Sequence, residues 1–208
     1  MCGRYTRKAA AEQIYEHFGI DPDEEFADIR IEPSFDIAPG SMQPVVRLTD
    51  AGEREIVLMR WGFKMPIQGK TKLVFNTKAE TVMDSPLWRS RFMQNRCLVP
   101  ASSFFEWPKK IKTEIGVRGH GVIGFASLWG TWKNPSTNQV EPTFSIFTTE
   151  PNSVMQPIHN RQPAILDPRE YEEWFTRSER PPAHLLRIFP EDRMTIAPAA
   201  ANIPTLFD

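Results

Sequence analysis

Six β-branched or aromatic runs, "QPVVRLT", "REIVLMRWGF", "RCLVP", "SFFEW", "GVIGFASLWGTW" and "TFSIFTT", recur along the chain, each bounded by Pro, Gly, Asp or Asn. Side chains of this kind fit a pleated surface, and the bounding residues make turns, so the runs read as strands. The 19 prolines in 208 residues predict many short elements joined by rigid turns. Helical patterns lie between the strands. In "RKAAAEQIYEHFG", Ile14 and Phe18 stand at helical spacing and Gly19 is placed to stop the helix. "SPLWRSRFMQ" has a Ser N-cap with Pro at the first helical position. "DPREYEEWFTR" repeats that start with Asp167 and Pro168 and has an acidic first turn, and "PPAHLLRIF" is expected to be a last helix. Strands and helices do not alternate regularly as they do in a doubly wound sheet. The expected class is therefore α+β around a barrel-like, mixed sheet, in one domain spanning residues 1–208.

Hydrophobic residues at 40% and charged residues at 25% describe a globular chain rather than a disordered one. No apolar run approaches membrane-spanning length, so no membrane association is expected. The N-terminus lacks a basic flank followed by an apolar core, and two cysteines are too few for a disulfide framework. The expected compartment is therefore reducing and intracellular. The net charge of −1 hides a strong unevenness. Residues 1–58 hold 6 Lys and Arg against 12 Asp and Glu, residues 59–118 hold 12 against 4, and residues 119–208 hold 7 against 10. A basic middle segment can form a local positive surface that attracts phosphates, or it can be a solvated face with scattered lysines.

Four polar residues stand in settings that suit chemistry. Cys2 follows Met1 directly in "MCGRY". Loss of Met1 would leave an α-amine beside a thiol, a pair of nucleophiles that can both reach one electrophilic carbon. An α-amine with an ordinary pKa of roughly 8 is substantially neutral near physiological pH and hence nucleophilic. The plainer role for Cys2 is a small buried thiol. Asn76 in "LVFNTKAET" follows a strand and precedes a helix start, where Asn commonly serves as a turn or cap. Glu106 in "PASSFFEWP" is flanked by Phe104, Phe105 and Trp107. Aromatic surroundings desolvate a carboxylate, which suits it to proton transfer near neutral pH, whereas an outward-facing Glu on a half-buried strand would do no chemistry. His159 in "MQPIHNRQPAIL" lies in a proline-punctuated loop with Arg161 two residues on. Each residue alone reads as structural. Two cysteines and four histidines show no paired ligand spacing, so neither a metal nor another cofactor is expected, and Cys97 in "RCLVP" reads as a buried strand residue.

Taken together, "MCGRY", "APG" at 38–40, "WG" at 61–62, "NTKAET" at 76–81, "RCLVPASSFFEW" at 96–107, "FASLWG" at 125–130 and "IHNRQP" at 158–163 resemble the SRAP family. These are the SOS-response-associated peptidase-like proteins, also called abasic site processing proteins. The resemblance implies a bifurcated, barrel-like β-structure surrounded by helices, with a positively charged cleft for single-stranded DNA. It implies that Cys2, exposed by loss of Met1, attaches covalently to the ring-opened abasic site as a thiazolidine, shielding the lesion during the DNA damage response. It also implies peptidase-like removal of Met1, by the chain's own site or by a methionine aminopeptidase, and a lyase activity.

Carried onto this sequence, the resemblance has Asn76 position the N-terminal residue, Glu106 sense the sugar and move protons, and His159 hydrogen-bond the ring-opened hydroxyl. Arg4, Lys78 and Arg161 are expected to contact phosphates. Trp107 is expected at the DNA or the cleft wall, and Trp61 in the core. The implied partner is single-stranded DNA bearing abasic sites, bound by a monomer that works with replication-fork proteins, either in the cytoplasm at the nucleoid or in a nucleus. Lys78 stands where the family commonly has Arg, keeping the charge but losing the bidentate grip. Ser103 stands where glycine is usual, and Gln162 where a hydrophobic or basic residue is usual. Two other readings remain open. One is an amidase or peptidase with Cys2 as N-terminal nucleophile, and the other is a non-catalytic reader of single strands or modified bases.

Overall fold

The long apolar runs pair with one another and close on themselves. The computed structural model describes residues 2–21, 29–133 and 137–198. Its strands, in chain order, are β1 (Tyr5–Arg7), β2 (Ser34–Ile37), β3 (Met42–Leu48), β4 (Arg54–Trp61), β5 (Phe63–Ile67), β6 (Lys70–Val74), β7 (Asn76–Lys78), β8 (Arg96–Ala101), β9 (Ser103–Glu106), β10 (Thr113–Val117), β11 (Ile123–Lys133), β12 (Val140–Thr149), β13 (Gln162–Pro163), β14 (Ile165–Leu166) and β15 (Met194–Pro198). The helices are α1 (Ala11–Phe18), α2 (Pro86–Gln94) and α3 (Tyr171–Phe175). β12 pairs with β4, β4 with β3, β3 with β8, β8 with β11, and β11 returns to β12. The β12–β4 pair is parallel and the other four are antiparallel, so the ring is a closed, mixed five-strand barrel. A second sheet, in the order β15-β10-β9-β1-β2, packs beside it, and β5 and β6 form a separate hairpin. The architecture is α+β and barrel-like, as the runs predict.

The apolar stretches within β3, β8, β11 and β12 are buried on both faces, whereas β4 leaves Leu58 41% exposed. Successive residues divide between two cores, as the two-residue strand period requires. Val45, Cys97, Val99, Phe125 and Ile146 pack with Tyr5, Phe104 and Ile115 of the second sheet. Val46, Leu98, Ala126 and Phe147 pack with Ile14, Phe18, Phe92 and Trp174 of the helices. Cys97 and Trp61 are both buried, as expected, and the Trp61 indole N–H donates to the Phe75 carbonyl at 2.9 Å. Among the described residues no helix is long and apolar enough to cross a membrane.

Several elements differ from the sequence expectation. "REIVLMRWGF" is not one strand. Gly62, at φ 115°, breaks it into β4 and β5, and a Cβ there would lie 2.7 Å from Leu73 Cγ. Arg7 ends β1 instead of opening α1. Its guanidinium is buried against Gln43 Oε1 at 2.7 Å and the Glu32 carbonyl at 3.1 Å. The segment after Asp167 is a 3₁₀ turn followed by the five-residue α3. "PPAHLLRIF" keeps only a 3₁₀ turn at Ala183–Leu185. Leu185 packs in the helical core and Phe189 in the other, and one helical face could not supply both.

Candidate functional site

Strand register carries Cys2 to Glu106. β1 runs antiparallel to β9 with Tyr5 opposite Phe104 and Thr6 opposite Ser103, and the Phe105 N–H donates to the Arg4 carbonyl at 2.9 Å. Continuing that register sets Gly3 opposite Glu106 and leaves Cys2 beside it. Cys2 is buried, and its thiol lies within electrostatic reach of the Glu106 side chain. Burial first, then the nearby Glu106 carboxylate, push the thiol pKa well above its ordinary value, so the sulfur is protonated near neutral pH.

Asn76 reaches the same place from the barrel. β7 runs parallel to β12 with Asn76 opposite Ile146 and Lys78 opposite Thr148. Thr77 turns inward to share a hydrogen bond with Ser145 at 2.9 Å, so Asn76 and Lys78 take the other side of the strand. Asn76 Nδ2 donates to the Cys2 carbonyl at 3.1 Å, and Lys78 is exposed. His159 comes from the turn after β12. Asn152 Oδ1 accepts the Met155 N–H at 3.0 Å, and the His159 N–H closes the turn onto the Met155 carbonyl at 2.9 Å. This places His159 Nδ1 3.9 Å from Glu106 Oε1, beyond hydrogen-bond length but within electrostatic reach.

The structure thus brings Cys2, Asn76, Glu106 and His159 together from four separate stretches of chain. Glu106 is 5% exposed on a strand buried at every residue, so the outward-facing alternative does not describe it. Two acceptors at the site, Asn76 Oδ1 and Glu106 Oε1, are buried without a hydrogen-bond partner. Leaving such a group unmatched costs about 1–3 kcal/mol each, which stable folds tolerate where a function uses the group.

The expected DNA contacts surround this centre unequally. Arg4 is half-exposed and paired with Asp36 at 2.8 Å, a surface pair that yields readily to another anion. Trp107, 44% exposed, directly follows Glu106. Arg161 is different. Its side chain is 13% exposed, and its guanidinium is held by Glu80 and Thr148. Not all of the basic middle segment faces solvent either. The Arg96 guanidinium is buried on the carbonyls of Phe92, Met93, Trp174 and Thr176, and Arg60 pairs with Glu141 at 2.7 Å. "APG" forms a turn, with the Ser41 N–H on the Ala38 carbonyl at 3.3 Å. Ser103 hydrogen-bonds Thr6 at 2.7 Å and Glu114 at 2.5 Å, and Gln162 accepts the Asn152 N–H at 2.9 Å. Among the described residues no group of three His, Cys, Asp or Glu could hold a metal ion. Met1 lies outside the described residues, and with it the expectation that it is removed.

The chain is similar to known proteins in sequence and in fold. The family model "SOS response associated peptidase (SRAP)" matches residues 1–205. The abasic site processing protein YoqW of Bacillus subtilis is 33% identical over 196 residues, covering 89% of this chain and 84% of the relative. The abasic site processing protein HMCES of Xenopus tropicalis is 26% identical over 211 residues, covering 84% of this chain and 63% of its own. A crystal structure of a protein from Bacteroides thetaiotaomicron superposes with a TM-score of 0.80 at 25% identity, covering 94% of this chain and 90% of that one. The chain belongs to the SRAP family, SOS response associated peptidase.

Proposed function

We propose that this chain processes abasic sites in single-stranded DNA by joining them to its own Cys2 after Met1 is removed. The α-amine of Cys2 condenses with the aldehyde of the ring-opened sugar, forming a C=N bond and releasing one water. The thiol then adds across that bond. Sulfur bonds to carbon, the thiol proton ends on nitrogen, and a five-membered thiazolidine results with no oxidant or reductant required. Its main support is the pair of orphaned acceptors, Asn76 Oδ1 and Glu106 Oε1, beside Cys2. A freed α-amine supplies the N–H donors they lack, and Glu106 can then carry protons between amine, water and thiol. His159 Nδ1, 3.9 Å from Glu106, supports a role in holding the released sugar hydroxyl. Holding both nucleophiles beside one carbon turns two encounters into one.

A thiolate-first attack on an amide fits the site less well, because burial and Glu106 keep the Cys2 thiol protonated. The amine acts first in the proposed order and needs no thiolate. The relatives named as abasic site processing proteins support the same substrate. Autocatalytic loss of Met1 and a lyase reaction on the sugar belong to this reading as further steps of the same site.

Two outcomes test the assignment. Glu106→Gln keeps the shape and removes the proton carrier, so adduct formation should slow by about a hundredfold, with DNA affinity within about twofold of wild type. Rate measurements across pH on an abasic oligonucleotide check this, and wild-type rates would remove Glu106 from the chemistry. The second outcome concerns binding. Lys78 is exposed beside Asn76, so Lys78→Ala should weaken single-strand binding and reduce the slope of log K against log salt by about 0.7, the value for one phosphate contact. An unchanged slope in a fluorescence anisotropy titration would place Lys78 outside the DNA path.

A further inference from the structure

The quoted block "NTKAET" contains a second functional candidate. Glu80 lies in the 3₁₀ turn at Ala79–Thr81, directly after the strand that carries Asn76. Its Oε1 and Oε2 accept Arg161 Nη1 and Nη2 at 3.0 and 2.7 Å, a bidentate ion pair, and Oε1 also accepts the Glu150 N–H at 3.1 Å. Burial raises the Glu80 pKa, but hydrogen bonds and charge from Arg161 outweigh this, and the net shift is downward. One carboxylate therefore ties together the end of β7, the end of β12 and the turn that carries His159.

Arg161 transmits this hold to the imidazole. The Arg161 guanidinium has five N–H donors. Glu80 takes two, Thr148 O takes one at 2.5 Å, and Thr148 Oγ1 lies 3.4 Å from Nε. At most one donor, on Nη1, is left for a phosphate. The side chain is fixed in place, and its backbone fixes the ring. The Arg161 N–H donates to His159 Nδ1 at 3.0 Å, and the Arg161 carbonyl lies 3.2 Å from the same nitrogen. Either protonation state of Nδ1 finds its partner on Arg161, so wherever Arg161 sits, the His159 ring follows.

Resting on the abasic-site reading above, we propose that Glu80 is a positioning residue: through Arg161 it clasps the His159 turn to the Asn76 strand and sets the His159–Glu106 distance. It touches neither the DNA nor the reacting atoms. A misplacement on the order of 1 Å at a reacting group lowers rates by up to about a hundredfold, so loss of a clasp beside the ring should cost about tenfold.

Single-turnover adduct formation against DNA concentration separates the maximal rate from half-saturation in Glu80→Ala, Glu80→Gln and Glu80→Asp. The maximal rate should fall about tenfold in Ala and less in Asp. Half-saturation should hold in Asp and hold or tighten in Ala and Gln, which lack the negative charge. In parallel, ¹⁵N-histidine NMR of each variant without DNA should move the His159 ring nitrogen signals and leave those of His17 and His184 unchanged. If wild type forms no adduct, the abasic-site reading fails, and the NMR arm alone decides the clasp. Glu80→Gln serves where Glu80→Ala fails to fold. A maximal rate within about twofold of wild type, a rate loss matched by equal weakening of half-saturation, or unmoved His159 signals would overturn the proposal.

Discussion

Cys2→Ala is expected to form no stable adduct with abasic DNA, a loss of at least about a thousandfold, because it removes the atom that closes the ring. The variant should remain folded. A thiol is close in size to a methyl group, and trimming one such group from a core costs about 1 kcal/mol. Cys2→Ser divides the reaction more finely. It keeps the α-amine proposed to meet the unpartnered Asn76 Oδ1 and Glu106 Oε1, so the imine should form, but a hydroxyl closes the ring poorly. The expected result is a reversible complex that becomes covalent only when borohydride reduces the C=N bond. The Ala variant should also be trapped by borohydride, since it keeps the amine. Heat-stable adducts from either variant without reductant would show that sulfur is not the closing atom.

The second large effect concerns the residue before Cys2. With Met1 in place, the nitrogen of Cys2 belongs to an amide, which cannot condense with an aldehyde. One additional residue that resists removal, or an N-terminal tag, should therefore abolish both the thiazolidine and the borohydride-trapped imine. Affinity for single strands should survive, since Arg4, Lys78 and Trp107 remain exposed around the centre. This pairing of lost chemistry with kept binding separates the covalent reading from a non-catalytic reader, for which the extension changes nothing. Gel-shift and cross-linking assays on one oligonucleotide measure both properties.

The barrel was legible because most of its strands hold stretches buried on both faces. Val45 and Val46 enter different cores, as do Leu98 and Val99, so adjacent residues are apolar there and the runs stand out from the sequence. The shorter strands carry no such signal. β6, "KTKLV", starts with three exposed residues, and β7 has three residues in all. β10, "TEIGV", alternates weakly and is recognisable only once β9 and β15 lie on either side of it. Helix ends depart from the sequence pattern where a tertiary partner outweighs propensity, as at Arg7, whose guanidinium is bound to Gln43 and Glu32.

The site divides in the same way. Cys2, Asn76, Glu106 and His159 could be named from their blocks, but their meeting depends on contacts such as Asn76 to Cys2, 74 residues apart. Nothing in the sequence marks Glu80, although it lies in "NTKAET", since its partner Arg161 is 81 residues away. A lone glutamate after a strand has no local feature that marks it. The family resemblance makes Arg161 a phosphate contact, and only the structure places Glu80 and Thr148 on its guanidinium.

The most direct test of the account is the intact mass of the untagged protein after mixing with a single-stranded oligonucleotide bearing one abasic site. The account predicts that protein lacking Met1 gains the mass of the oligonucleotide less one water, at one adduct per molecule, with the modification mapping to Cys2. Protein that retains Met1 should stay at its original mass. If the Met1-retaining form reaches the same adduct mass at the same rate, the α-amine is not the reagent and the thiazolidine assignment is wrong.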